Sequence, residues 1–147
     1  MTPNITVHAD AVLVDIDHLA DRTGQERSAL AAFLTGRTWG ALTEQGFAGA
    51  AARCAAAGLP EPALLATGAA CPQTFTAAAD LLGTAIGSCA VLTATLASTE
   101  AAGTAGAIPL ALDAPPHATT GCGALPLPSL TALAARPASP WRMAFTA

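Results

Sequence analysis

Two carboxylates two positions apart, Asp15 and Asp17, stand at the end of an apolar run, Ala11-Val12-Leu13-Val14. A continuous apolar run with β-branched members reads as a strand buried on both faces. Side chains alternate along a strand, so positions 15 and 17 of one strand share a face. Like charges that close are costly unless a cation, a shared proton or an array of donors compensates them. In a site poor in positive charge, one pKa of such a pair is expected to rise. A carboxyl that keeps its proton in this way is a general acid near neutral pH. His18 adjoins the pair as a proton relay or as a solvated residue at the strand exit. The plain alternative for the pair itself is a strand end carrying two solvated acids.

Other candidates are spread along the chain. Thr67, Thr93 and Thr95 stand at predicted strand ends, where a hydroxyl either holds a ligand or satisfies local backbone groups. Trp39 offers a face for stacking a ligand or a ring for the core. Cys71 lies beside a predicted helix start, a place that lowers a thiol pKa. Cys54, Cys89 and Cys122 read as small apolar fillers. Asp21 suits a helix cap, and His117 falls in a Pro-rich loop after a strand end.

These residues need a scaffold, and composition bounds it. The 147 residues suit one domain, 1–147, with an apolar tail at 137–147. The formal net charge of -4 argues against nucleic acid as a partner. All six basic residues are arginines, and the chain has no lysine. Each apolar run is broken by Gly, Pro, Thr or an acid before it could span a bilayer, so no membrane role is expected. The four cysteines form no Cys-x-x-Cys pair, and the start has no secretory pattern. A reduced, cytoplasmic protein is the expectation.

Strands and helices alternate. The pattern predicts strands at 11–16, 63–67, 89–93, 108–112 and 124–127, with a short edge strand at Ile5-Thr6-Val7. Helices are predicted at 23–35, 47–57, 72–82 and 96–105, most of them closed by a glycine, with a last helical turn or two at 129–135. Thr38-Trp39-Gly40 reads as a turn. The tail carries Trp141, Met143 and Phe145 at alternate positions, which suits docking on its own domain or on a partner subunit. Alternation of this kind predicts an α/β fold, a Rossmann-like parallel sheet flanked by helices.

Several segments together resemble the haloacid dehalogenase (HAD) superfamily, in its phosphoglycolate-phosphatase-like branch. Val14-Asp15-Ile16-Asp17 is similar to the Asp-x-Asp of that family's first strand. Cys71-Pro72-Gln73-Thr74-Phe75-Thr76-Ala77-Ala78-Ala79-Asp80-Leu81-Leu82-Gly83 resembles its Lys-Pro motif and the helix that follows. Ser88-Cys89-Ala90-Val91-Leu92-Thr93-Ala94-Thr95, then Glu100-Ala101-Ala102-Gly103-Thr104-Ala105-Gly106, resemble the next strand and helix. Leu125-Pro126-Leu127-Pro128-Ser129-Leu130 looks like the last strand and its helix start.

The resemblance implies that Asp15 is a nucleophile and Asp17 a general acid/base. It also implies Mg²⁺ held by the first aspartate and by acids after the fourth strand, a lysine, and a Ser/Thr after the second strand that binds phosphate. The chain departs from this pattern. The lysine position falls at Cys71, and the Glu-Asp pair falls on Thr93 and Ala94. The Gly-Thr after the second aspartate is His18-Leu19. Too few residues separate Asp17 from Thr67 for the usual helical cap. Either Thr67 is the phosphate-binding threonine, or Leu59–Gly68 is the later strand that precedes the lysine and the second motif is deleted.

The expectation is therefore a truncated HAD-like core with little or no cap, no required cofactor, and Mg²⁺ disfavoured because carboxylates are lacking. The leading functional reading is a repurposed enzyme in which Asp15 and Asp17 do metal-free acid–base chemistry on a largely apolar small metabolite. The second is a catalytically inactive binding partner, and the third a weak Mg²⁺-dependent phosphatase. A homodimer is expected, because shortening a helix layer leaves surface uncovered.

Overall fold

The computed structural model describes residues 4–8, 10–19, 24–35, 38–44, 46–68, 71–112, 125–127, 133–135 and 142–146. In chain order they form β1 (Asn4–His8), β2 (Ala11–Asp15), α1 (Ile16–Leu19), α2 (Gly24–Leu34), β3 (Trp39–Thr43) and α3 (Phe47–Ala56). Then come β4 (Leu64–Thr67), α4 (Pro72–Leu81), β5 (Cys89–Thr93), α5 (Leu96–Ala105) and β6 (Ile108–Leu112). Three short strands follow, β7 (Leu125–Leu127), β8 (Leu133–Ala135) and β9 (Arg142–Thr146).

Six strands make one parallel sheet in the order β4-β3-β2-β5-β6-β7. β2 lies inside it, with Val14 beside Ala41 of β3 on one flank and Leu92 of β5 on the other. Its unbroken apolar sequence follows from that place, since helices cover both faces. Alternation divides its side chains between them. Val12 and Val14 pack in one cluster with Leu30, Phe33 and Leu34 of α2 and with Ala50 and Cys54 of α3. Leu13 packs in another with Phe75 and Ala78 of α4 and with Ala101 and Ala102 of α5. α2, which follows the aspartates, is thus part of the sheet's own cover.

Three local expectations are corrected, and a fourth is made specific. The first strand ends at Asp15, and Ile16–Leu19 is already helical, so Asp17 is not a strand residue. Trp39–Thr43 is a fully buried strand and not a turn. Its glycine marks a close approach: a Cβ at Gly40 would lie 3.1 Å from Leu13 Cδ2. Leu133–Ala135, predicted helical, is a strand. The alternating tail is also a strand, β9, which pairs antiparallel with β1 and β8 in a separate sheet of order β1-β9-β8. The segment from Ile5 to Val7 is therefore part of a strand, but in this second sheet. Among the described residues no helix is long and apolar enough to cross a membrane.

Candidate functional site

From β2 the chain moves outward to β3 and β4, then crosses back to β5 on the other side of β2. The carboxyl ends of strands at such a reversal leave a crevice, the usual place for ligands in open α/β sheets. A cavity of about 250 Å³ lies there, between the ends of β3, β2 and β5. Asp15 and Asp17 line it together with Thr43 and Glu44. The first turn of α5 contributes Thr95, Ala97 and Ser98, and Leu42, Phe75, Gly68 and Thr74 complete the wall. Both aspartates are thus brought to one cavity, although one ends a strand and the other begins a helix.

Asp17 sits in a dense set of donors. The Thr43 hydroxyl donates to its Oδ1 at 2.6 Å and the Glu44 backbone N–H to its Oδ2 at 2.8 Å. Arg53, one face along α3, places Nη1 3.0 Å from Oδ1 in an ion pair. Its Nη2 donates to the carbonyls of Ile16 and Asp17 at 3.3 and 2.9 Å. Burial works to raise the Asp17 pKa, but the Glu44 N–H, the Thr43 hydroxyl and the Arg53 charge together hold it below its ordinary 3.8. This corrects the expectation of a rise as far as Asp17 is concerned: it is an ionised acceptor near neutral pH. It also corrects the picture of a site without cations, because one guanidinium reaches this carboxylate.

The predicted threonines separate. Thr67 lies exposed on the edge strand β4, outside this cavity, in register with Thr43. Thr43 therefore occupies the end of the strand next to β2, and β4 is the strand preceding the Cys71 helix. The second alternative for the register thus holds for Leu59–Gly68 as the strand before Cys71, while β3 stands where that alternative expects a deletion. Thr93 is fully buried, its hydroxyl 2.7 Å from that of Thr99, and it does not line the cavity. Thr95 does line it and caps α5, accepting from Ser98 N–H at 3.1 Å. Trp39 is 1% exposed in the core cluster of α2 and α3, away from the cavity. The side chain of His18, and the whole of Asp21, His117 and Cys122, lie outside the described residues.

Cys71 stands at the N-cap position of α4. The Thr74 hydroxyl, 3.2 Å from its Sγ, and the backbone N–H groups of Thr74 and Gln73 lower its pKa. Burial instead raises the thiols of Cys54 and Cys89, the latter to about 11. Gly68 is the cavity residue with no room to grow, since a Cβ there would meet Thr74 Oγ1 at 2.9 Å.

Thr43, Glu44, Arg53 and Ser98 were not anticipated as site residues. The first two were legible in principle, as Trp39-Gly40-Ala41-Leu42 is an apolar run that ends on Thr-Glu. Arg53 and Ser98 lie within helices and carry no sequence signal.

The residues present do not fit the family's Mg²⁺ site. The positions at the end of β5 and just after it are Thr93, Ala94 and Thr95, and both hydroxyls are engaged within the fold. Among the described residues no three His, Cys, Asp or Glu side chains are grouped to hold a metal ion. Mg²⁺ needs a near-octahedral set of oxygen ligands, usually including carboxylates.

No protein-family model and no curated protein matches this chain. Solved structures do. An uncharacterised protein of Corynebacterium glutamicum is 14% identical at a TM-score of 0.58, over 69% of this chain and 83% of its own. A HAD family hydrolase of Deinococcus radiodurans, solved with bound phosphate and sodium, is 20% identical at a TM-score of 0.56. That match covers 71% of this chain and 53% of the hydrolase, so the chain spans about half its length. The cobalt-bound deoxy-D-mannose-octulosonate 8-phosphate phosphatase of Haemophilus influenzae is 12% identical at a TM-score of 0.57, over 83% of this chain and 79% of its own. The chain has a HAD-like fold. In that fold the resemblance places the nucleophile and acid/base positions at Asp15 and Asp17. Thr43, at the end of the strand beside β2, bonds through its side chain to Asp17.

Proposed function

We propose that this HAD-like chain is a repurposed enzyme that carries out proton transfer without a metal on a small metabolite with a large apolar part. Asp15 is the proton-transfer residue, Asp17 the fixed carboxylate beside it, and His18 the neighbour that relays a proton. The observation that carries the reading is the fate of the metal-binding positions. Of the two positions where the resemblance expects acids, Thr93 gives its hydroxyl to Thr99 and Ala94 has no ligand atom, while the strand-end carboxylate of Asp15 lines a cavity. Leu42 and Phe75 in the same wall supply the apolar contact. A positioned carboxylate contributes about 10²–10⁴-fold to a proton transfer. Asp15→Asn is therefore expected to lower turnover of candidate metabolites by about that factor. Equal turnover by variant and wild type would end the proposal.

The Arg53–Asp17 ion pair supports a second reading, a binding protein without turnover, since the family's acid/base position is here held by a cation. In that case Asp15→Asn leaves the biological effect intact. A phosphatase ranks third; release of phosphate from an aryl phosphate, stopped by a chelator, would restore it.

A further inference from the structure

The parallel sheet ends in an edge that lacks the usual protection. Among the described residues β4 pairs only with β3, so its outer N–H and C=O groups form a row without a strand partner. Such edges are normally blunted by a charge, a proline or a bulge. β4 reads Leu64-Leu65-Ala66-Thr67, in continuous register with β3, and has none of these.

The helices beside that edge are uncharged as well. α3 packs on β4; its Arg53 turns to Asp17, and its Ala56 shares a groove with Arg27 and Ser28 of α2. Helical spacing puts Ala48, Ala51 and Ala55 on the other flank, and all three are exposed. A helix that faces water normally shows it polar side chains. Among the described residues, every exposed one of α3 is Ala or Gly. On the other face of the sheet, α4 and β4 form a groove of about 430 Å³ that contains no charged residue. Leu64, Ala66, Gln73, Ala77 and Leu81 are among its walls, and Leu81 is 72% exposed. Asp80, the exposed acid of α4, stands outside that lining.

We propose that β4, α3 and α4 form the interface for a second copy of this chain, joining two six-stranded sheets edge to edge. Charge selects the occupant. Each chain carries a formal net charge of -4, so two copies repel unless they meet where charge is absent, and this edge is such a place. A twofold axis normal to the sheet runs the two β4 strands antiparallel, and directly opposed residues then share a face. Leu64 and Ala66 pack with the α4 cluster and Leu65 with the α3 cluster. The register that respects this and keeps all three inside the pairing sets Leu65 against Leu65, with Leu64 against Ala66 on either side. The same axis lays the two α3 helices side by side, where alanines permit the close end of the usual spacing of about 8–10 Å. α4 also packs on β2, so it sits farther from the edge, and the longer Gln73 and Leu81 fill the wider gap. The edge is about 15 Å long and three layers, about 25 Å, high, so the pair buries on the order of 1,000 Å², the least a specific interface needs. A strand of another protein would satisfy the β4 backbone but has no reason to match the alanines of α3. Thr74 lines both the groove and the cavity, so the interface abuts the candidate site and is independent of what Asp15 does there.

The test is light scattering of the full chain at micromolar concentration, together with oxidative cross-linking of Leu65→Cys. Wild type should show twice the chain mass of 14.4 kDa. Ala51→Glu and Ala77→Glu, each at an exposed helical position, set like charges across the axis and should raise the dissociation constant at least about tenfold. Thr104→Glu, exposed on α5, adds the same charge away from the edge and should leave the mass unchanged. Under mild oxidation Leu65→Cys should give a dimer linked from position 65 to position 65, as peptide mass spectrometry will show. Opposed Cα atoms of an antiparallel pair lie about 4.5–5.5 Å apart, within reach of a disulfide. A monomeric wild type, the state expected if a strand of another protein covers the edge, overturns the proposal. So does a dimer that survives both charge variants, which would place the interface elsewhere, or a Leu65→Cys dimer with no link between the two positions.

Discussion

Asp17 is a residue whose role changed between sequence and structure. Read along the chain it shares a strand face with Asp15. In the fold it belongs to α1 and meets Thr43, Glu44 and Arg53, none of them near it in sequence. Its carboxylate is more acidic folded than unfolded, where it titrates near 3.8. The stability it contributes is therefore complete above that pH and is lost as the pH falls through the lower, folded pKa. Asp17→Asn should cost about 1–3 kcal/mol at neutral pH, the penalty for stranding its donors. The variant should also lose less stability than wild type between neutral pH and strong acid, as urea unfolding across pH will show. The thiols give a second prediction. Cys71 is accessible with a lowered pKa, whereas Cys54 and Cys89 are buried with raised ones. Iodoacetamide at neutral pH should modify Cys71 before Cys54 and Cys89, with the order of labelling read by peptide mass spectrometry.

At the scale of elements, β5 and α5 are tied by a buried hydroxyl pair. Thr93 and Thr99 are 0% and 2% exposed with their oxygens 2.7 Å apart, and Thr99 also donates to Thr95 O at 2.8 Å. Removing the Thr99 hydroxyl leaves that of Thr93 only a 3.5 Å contact to Leu110 O, and removing the Thr93 hydroxyl takes one of the two partners of Thr99. Thr93→Val and Thr99→Val should each cost about 1–3 kcal/mol, and the double variant clearly less than their sum. Additive losses in a urea-unfolding cycle would show that the pair is not coupled. The helices themselves were legible because their ends carry chemical marks. Pro72 opens α4, Thr95 caps α5, and Gly106 closes α5 in the left-handed region at φ 96°. β3 carries no such mark. It is short, contains a glycine, and is a strand because its neighbours bury all five positions.

For the molecule as a whole, protection should follow position in the sheet. β2 and β5 are paired on both flanks and buried on both faces, while β4 is an edge strand of half-buried and exposed residues. Amides of β2 and β5 should exchange slowest and those of β4 much faster, as hydrogen exchange resolved by peptide will show. The expected homodimer is a proposal at this scale, supported by the open β4 edge and by Leu81, which is 72% exposed. A monomer mass by light scattering at micromolar concentration would refute it. The sequence by itself determined the alternating α/β order, the buried first strand, the paired aspartates and a basic complement made of arginine alone. Those are properties of local pattern and composition, which one chain carries on its face. Only the tertiary structure decided that Thr43, not Thr67, stands beside the aspartates, that Arg53 holds Asp17 ionised, and that the tail pairs with β1. Each of these depends on segments far apart in the chain meeting in space, and no local period encodes such a meeting.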